Sequence, residues 1–81
     1  SLRIDGKDYA FAYGGKMVSD RIFNGCYYLK SGEKATQGWY WTKNEYDQYG
    51  WTYVLENGKV ANGVHVIDGV EYGFKYGIWV E

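Results

Sequence analysis

Asp-Gly and Asn-Gly pairs punctuate the chain, and Asp5-Gly6, Asn24-Gly25, Asn57-Gly58 and Asp68-Gly69 lie between its alternating runs. These pairs supply the positive backbone φ angles that a tight two-residue β-turn demands. The runs beside them alternate in the period of a strand. Tyr9, Phe11 and Tyr13 alternate in KDYAFAY, Val64 and Val66 in GVHVIDG, and Val70, Tyr72, Phe74 and Tyr76 in VEYGFKY. Turn pairs between alternating runs predict β-hairpins. Tyr, Trp, Val and Ile dominate the apolar residues and glycine is at twelve positions, so helix signals are poor and pleated surfaces are favoured. The chain is read as all-β.

The hairpin signal also repeats. Gly6, Gly25, Gly50 and Gly69 are taken as turn glycines, and they are spaced by 19, 25 and 19 residues. Tyr9, Tyr28, Tyr53 and Tyr72 repeat the same intervals. The sequence therefore predicts stacked β-hairpins forming a short β-solenoid of about four repeats. Residues 1–81 make a single repeat module with approximate units 2–20, 21–38, 39–63 and 64–81. The third unit is longer by six residues, and TKNEYDQYG holds the excess. One hairpin is not stable alone, whereas stacked copies bury each other's rings. In 81 residues only one thin core is available.

Composition closes several routes. A single cysteine, Cys26, permits no internal disulfide, and one Cys with one His does not make a four-ligand zinc site. Cys26 is read as a small core filler. Net charge is −1, with a mild excess of basic groups in residues 1–40 and of acidic groups in 41–81. That balance argues against nucleic acid as a partner. No apolar run reaches the roughly 20 residues of a membrane helix, so membrane insertion is not expected. No leader peptide is evident, and a start on Ser1 without methionine is expected of a piece of a longer chain. The ten carboxylates are scattered, no triad partners surround His65, and a hairpin stack leaves little room for the paired carboxylates of a glycosidase. The chain is read as non-catalytic, with no catalytic residues, no metal and no cofactor. His65 is expected to be exposed, facing opposite to Val64 and Val66.

The segment from Gln37 to Gly63 concentrates three of the four tryptophans. Trp39 and Trp41 lie two apart and share one face of a strand. Rings on an open face stack against the C–H faces of sugars and attract cations. Trp39, Trp41 and Trp51 are therefore the leading ligand-binding candidates. Tyr46 and Tyr49 lie in the polar extension, where hairpin packing needs no ring, and Tyr46 joins the candidates.

These residues resemble a family. Gly38-Trp39, then Trp51-Thr52-Tyr53, then ENGKVANG ending at Gly63 are similar to the cell-wall-binding repeats of Gram-positive surface proteins. That group includes the choline-binding modules of pneumococcal lytic enzymes, the glucan-binding repeats of glucosyltransferases and the repeats of large clostridial toxins. IDGKDYAFAYGGKM and IDGVEYGF look most like the toxin and glucan variants. The resemblance implies a hairpin solenoid that binds cell-wall polysaccharide, teichoic-acid choline or glucan between successive hairpins. It implies a secreted or cell-surface location. Carried over, Trp39 and Trp51 would be two walls of an aromatic cage, and Tyr72 of the next unit would be the third ring. Tyr53, at a recurrent scaffold position, is also taken as a ligand-binding candidate. The Gly-Trp pair occurs once, Val64 follows Gly63 in the next unit, and Asp8, Tyr27 and Glu71 are matched to the Trp51 position. A repeated series of cages is therefore excluded. The alternative reading is a structural or protein-interaction module, a spacer or a domain that self-associates through exposed edges.

Overall fold

The computed structural model describes residues 2–80. They form nine strands and no helix: β1 Leu2–Ile4, β2 Lys7–Tyr9, β3 Arg21–Phe23, β4 Cys26–Tyr28, β5 Gly38–Lys43, β6 Tyr49–Val54, β7 Gly63–Ile67, β8 Val70–Lys75 and β9 Ile78–Val80. Strands pair only with their sequence neighbours, giving three antiparallel hairpins and a final three-stranded sheet β7-β8-β9. The stack extends 37 × 26 × 16 Å. The all-β architecture of stacked hairpins read from the sequence is the one observed.

Three predicted turns form as expected. Asp5-Gly6, Asn24-Gly25 and Asp68-Gly69 hold φ near +51° and +78 to +80°, the backbone of a type I′ turn. Gly50 does not belong with them. It lies inside β6 opposite Thr42, and the third hairpin turns instead at 44–48. Asn44 drives that turn. Its side-chain Oδ1 accepts the backbone N–H groups of Tyr46 and Gln48 at 2.9 and 3.0 Å. Its Nδ2 donates to Gln48 Oε1 and to the carbonyl of Tyr76.

Each hairpin is followed by a second, looser turn. Gly15, Gly32 and Gly58 there donate to Ala12, Leu29 and Leu55. These landmarks recur at 17 and 26 residues, so Ala10, Tyr27 and Tyr53 occupy one position: their carbonyls accept from Val18, Ala35 and Ala61. Tyr53 is thus equivalent to Tyr27, not to Tyr28, and the four tyrosines read as one phase divide between two faces. Tyr9, Tyr28 and Tyr72 each sit third after a turn glycine. By the same landmarks Gly25, not Tyr27, stands where Trp51 does. The run Tyr9, Phe11, Tyr13 is also shorter than expected: β2 ends at Tyr9, Phe11 forms an isolated bridge with Met17, and Tyr13 is fully exposed.

The core is divided. Ala10, Val18, Cys26 and Tyr28 pack between the first and second hairpins. Ile22, Tyr27, Ala35, Val54, Val60 and Ile78 pack around the second and third. Ala61, Ile67 and Phe74 pack between the third and fourth, against half-buried Trp39, Tyr53, Tyr72 and Trp79. Cys26 is buried filler, as predicted. His65 is half-buried rather than exposed, with Nε2 2.8 Å from the Asn62 carbonyl. Its face is turned toward the preceding hairpin, and Val64 and Val66 take the solvent side instead.

Candidate aromatic ligand cleft

The site begins with the register of β5 and β6. Trp39 pairs with Tyr53, and Trp41 with Trp51. Directly opposed residues share a face, so all four rings project from one side of the hairpin. The alternate residues, Thr42, Gly50, Thr52 and Val54, are buried on the other side. Small and β-branched residues fill the tight seam toward the second hairpin, and the large rings are released to the far face.

The next sheet lies on that face. In β8, Tyr72 and Phe74 are two apart and point toward the third hairpin, and the Phe74–Trp79 pairing adds Trp79 from β9. The ring centroid of Trp39 is 5.0 Å from that of Tyr72, 5.1 Å from Tyr53 and 5.7 Å from Phe74. Trp79 stands 5.8 Å from Tyr72. Trp41 meets Trp51 edge-on at 5.6 Å. The Trp39–Tyr53, Trp39–Tyr72, Tyr72–Trp79 and Trp41–Trp51 contacts are all edge-to-face, with interplanar angles of 66–77°. This arrangement satisfies the ring quadrupoles.

An open cleft of about 280 Å³ remains, lined by Trp39, Trp51, Tyr72 and Trp79. Trp51 is 44% exposed at its rim. Four π faces and no formal charge favour a ligand with an apolar C–H face or a diffuse cation. A larger recess of about 490 Å³ lies on the other side of Tyr53. Gln37, Glu56, His65 and Asp68 give it a polar lining, and Gln37 Nε2 donates to the Tyr53 hydroxyl at 3.2 Å.

Of the residues singled out in the sequence, Trp39, Trp51 and Tyr72 come together in the cleft. Tyr53 backs Trp39. Trp41 lies outside the four-ring lining, flanks Trp51 and is 58% exposed. Tyr46 is elsewhere, on the 44–48 turn, with its ring 5.0 Å from Tyr76. Trp79 was not singled out. The available signal was the alternation Ile78, Trp79, Val80 after Tyr76-Gly77, which places Trp79 on the face of Phe74.

Fold and site thus define a stack of aromatic hairpins with a ring-lined cleft at the seam between two of them. Known proteins are similar to this chain in sequence or in fold. Over 72 residues, 88% of its length, the chain is 38% identical to a Streptococcus pneumoniae protein described as "Putative endo-beta-N-acetylglucosaminidase", in each of two strains. The chain spans about a tenth (10%) of the length of those curated relatives. The modular autolysin LytC of S. pneumoniae superposes with a TM-score of 0.70, at 22% identity, over 98% of this chain and 18% of LytC. LytC in complex with a synthetic peptidoglycan ligand superposes equally, at 0.71. No family model matches the chain. The resemblance to the aromatic–glycine repeats of Gram-positive surface proteins therefore holds: the sequence matches a segment of one pneumococcal protein, and the fold matches a segment of another.

Proposed function

We propose that residues 1–81 form a non-catalytic module that attaches a larger secreted or surface bacterial protein to cell-wall or other glycan ligands. The observation that carries this reading is the four-ring cleft of Trp39, Trp51, Tyr72 and Trp79. It is assembled across two consecutive hairpins and is lined by rings rather than by acid–base groups. Trp41 and Tyr53 extend and back the platform. The relatives support the reading, because one is named for cleaving a glycan and the other was solved with a peptidoglycan ligand. The ligand classes in view are cell-wall polysaccharide, teichoic-acid choline and glucan. The approximate units remain 2–20, 21–38, 39–63 and 64–81, and a cell-wall location follows from the same reading. One shallow aromatic site gives weak affinity, which repetition in a longer chain multiplies.

Tryptophan fluorescence tests this directly. Titration with choline chloride, with isomalto-oligosaccharide and with purified Gram-positive cell wall should shift the emission for at least one of them. Trp51→Ala should weaken that response about tenfold, the effect of one lost ring contact. Its melting temperature should fall only modestly, because Trp51 is 44% exposed. Silence toward all three, with no co-sedimentation with cell wall, would refute the reading.

One observation favours a structural or interaction role instead. Val64, Val66 and Val80 are exposed on one face of the final sheet, around Gly73. Concentration-dependent light scattering without any ligand would support that second reading.

A further inference from the structure

A second cleft, of about 350 Å³, opens between the 44–48 turn and the turn joining β8 to β9. This volume is at the low end of small-ligand sites, which run from about 300 to 1,000 Å³. Tyr46 and Tyr76 form its rim. They are 67% and 54% exposed, with ring centroids 5.0 Å apart at 61°. Ile22 and Val60 are among its apolar lining residues, and Glu45 and Asn62 are among its polar ones.

Two local departures from sequence rules meet here. The first is Tyr76 itself. Four turns among the described residues pair a non-glycine residue with a following glycine at two positive φ angles, and three of the four have Asp or Asn first. Those residues tolerate the left-handed region, whereas an aromatic residue there is strained. Tyr76 nonetheless holds φ +55°. Strain of this kind persists only where surrounding structure over-determines it, and it clusters at functional positions. The surroundings do so. Buried Asn44 caps the Tyr76 carbonyl at 3.1 Å, and Asn62 Oδ1 accepts the Gly77 N–H at 2.7 Å. The second departure is the extension of the third unit, nine residues by the landmarks of the fold (26 − 17), which supplies Glu45 and Tyr46. The chain thus adds residues on one side, and tolerates strain on the other, to hold two exposed tyrosines over one recess.

We propose that this cleft is a second binding site, separate from the tryptophan cleft, and that it takes a saccharide ring. The chemistry favours a neutral polyol over a cation. The Lys75 ammonium already lies 5.6 Å from the centre of the Tyr76 ring, where a ligand cation would sit. The Glu45 carboxylate offers two acceptor oxygens for ligand hydroxyls. Asn62, its Oδ1 engaged by Gly77, presents Nδ2 as a donor. Tyr46 and Tyr76 supply ring surface for the sugar's C–H face. The two clefts have no lining residue in common, so this site does not depend on the ligand of the other.

The test is an ¹⁵N-correlation titration of the whole chain with chitotriose and, separately, isomaltotriose at millimolar concentration, with choline chloride as control. At least one sugar should move the amide resonances of Glu45, Tyr46, Tyr76 and Gly77, and choline should not. Tyr76→Gly and Tyr46→Ala should each weaken that binding about tenfold. Tyr76→Gly should melt within a few degrees of the parent, because glycine adopts the turn freely. That variant separates lost binding from lost folding. Sugar-induced shifts at Trp39, Trp51, Tyr72 and Trp79 alone would overturn this second site and leave the tryptophan cleft standing. Shifts at Tyr46 and Tyr76 alone would do the reverse. Unchanged affinity in Tyr76→Gly, or a choline shift at these residues, would also overturn the proposal.

Discussion

Gly50 offers the sharpest test of how the hairpins pack. It is buried in β6, and a Cβ built there would collide with Cγ2 of Ile78, the first residue of β9. Its backbone is not left-handed, so Gly50→Ala carries no conformational penalty of that kind. An alanine in a strand would ordinarily gain about 0.5–1 kcal/mol over glycine. Overpacking a closed seam costs about 1–3 kcal/mol, and here it should win. We expect Gly50→Ala to destabilise by about 1–2 kcal/mol, which lowers Tm by ~4–16 °C in a domain of this size. Ile78→Ala alone should cost at least about 2 kcal/mol, because the residue is buried in the central cluster. In the Ile78→Ala background, Gly50→Ala should turn neutral or stabilising by about 0.5 kcal/mol, since the added methyl enters the space that Ile78 vacates. The four proteins form a double-mutant cycle, read by urea unfolding monitored by tryptophan fluorescence. A coupling of about 1–2.5 kcal/mol is expected. Additive effects, or a Gly50→Ala protein as stable as its parent, would refute the packing of β9 on β6.

Other outcomes follow from the same contacts. Asn44→Ala should lose about 2–3 kcal/mol, with Tm down by ~10–20 °C, because it leaves the Tyr76 carbonyl and the Tyr46 and Gln48 amides without their partner. Thermal melts would show it. Burial pushes the phenols of Tyr27 and Tyr28 above their ordinary 10.0, and the hydrogen bond and charge of Glu33 hold Lys7 above 10.5. A group whose folded-state pKa is raised supports the fold fully below its unfolded value and loses that support as pH rises. All three therefore predict a Tm that is steady up to about pH 10 and falls beyond it. Tyr28→Phe should reduce the fall, and a flat profile to about pH 11 would contradict it.

The parts legible in the sequence are those set by local chemistry. Asp5-Gly6, Asn24-Gly25 and Asp68-Gly69 announced their turns because few other pairs take two positive φ angles. Trp39 and Trp41 announced a shared face because strand geometry leaves no choice. The misreadings have equally specific causes. Gly50 mimicked a turn glycine by spacing, but its role is to admit Ile78 from 28 residues away, and no local pattern encodes that. The true turn at Asn44 is made by side-chain hydrogen bonds, one of them to Tyr76. The turn at Tyr76-Gly77 hides behind an aromatic residue where Asp or Asn is normal. Missing that turn meant missing β9, and with it Trp79, the fourth wall of the cleft.

The division of the core has a consequence for how the cleft behaves. In a stack of this kind each unit is held by its neighbours and not by one shared interior. Two walls of the cleft belong to the third hairpin and two to the fourth, so the site exists only while that seam is closed. A small parting of β8 from the third hairpin would erase it, while the first two hairpins keep their own packing. A ligand seated there acts as a clasp across the seam, and its binding energy raises the local stability of the last sheet rather than that of the whole molecule. Occupancy is then readable without a spectroscopic probe in the cleft, as slowed hydrogen exchange of the β8 and β9 amides with little change in β3 and β4.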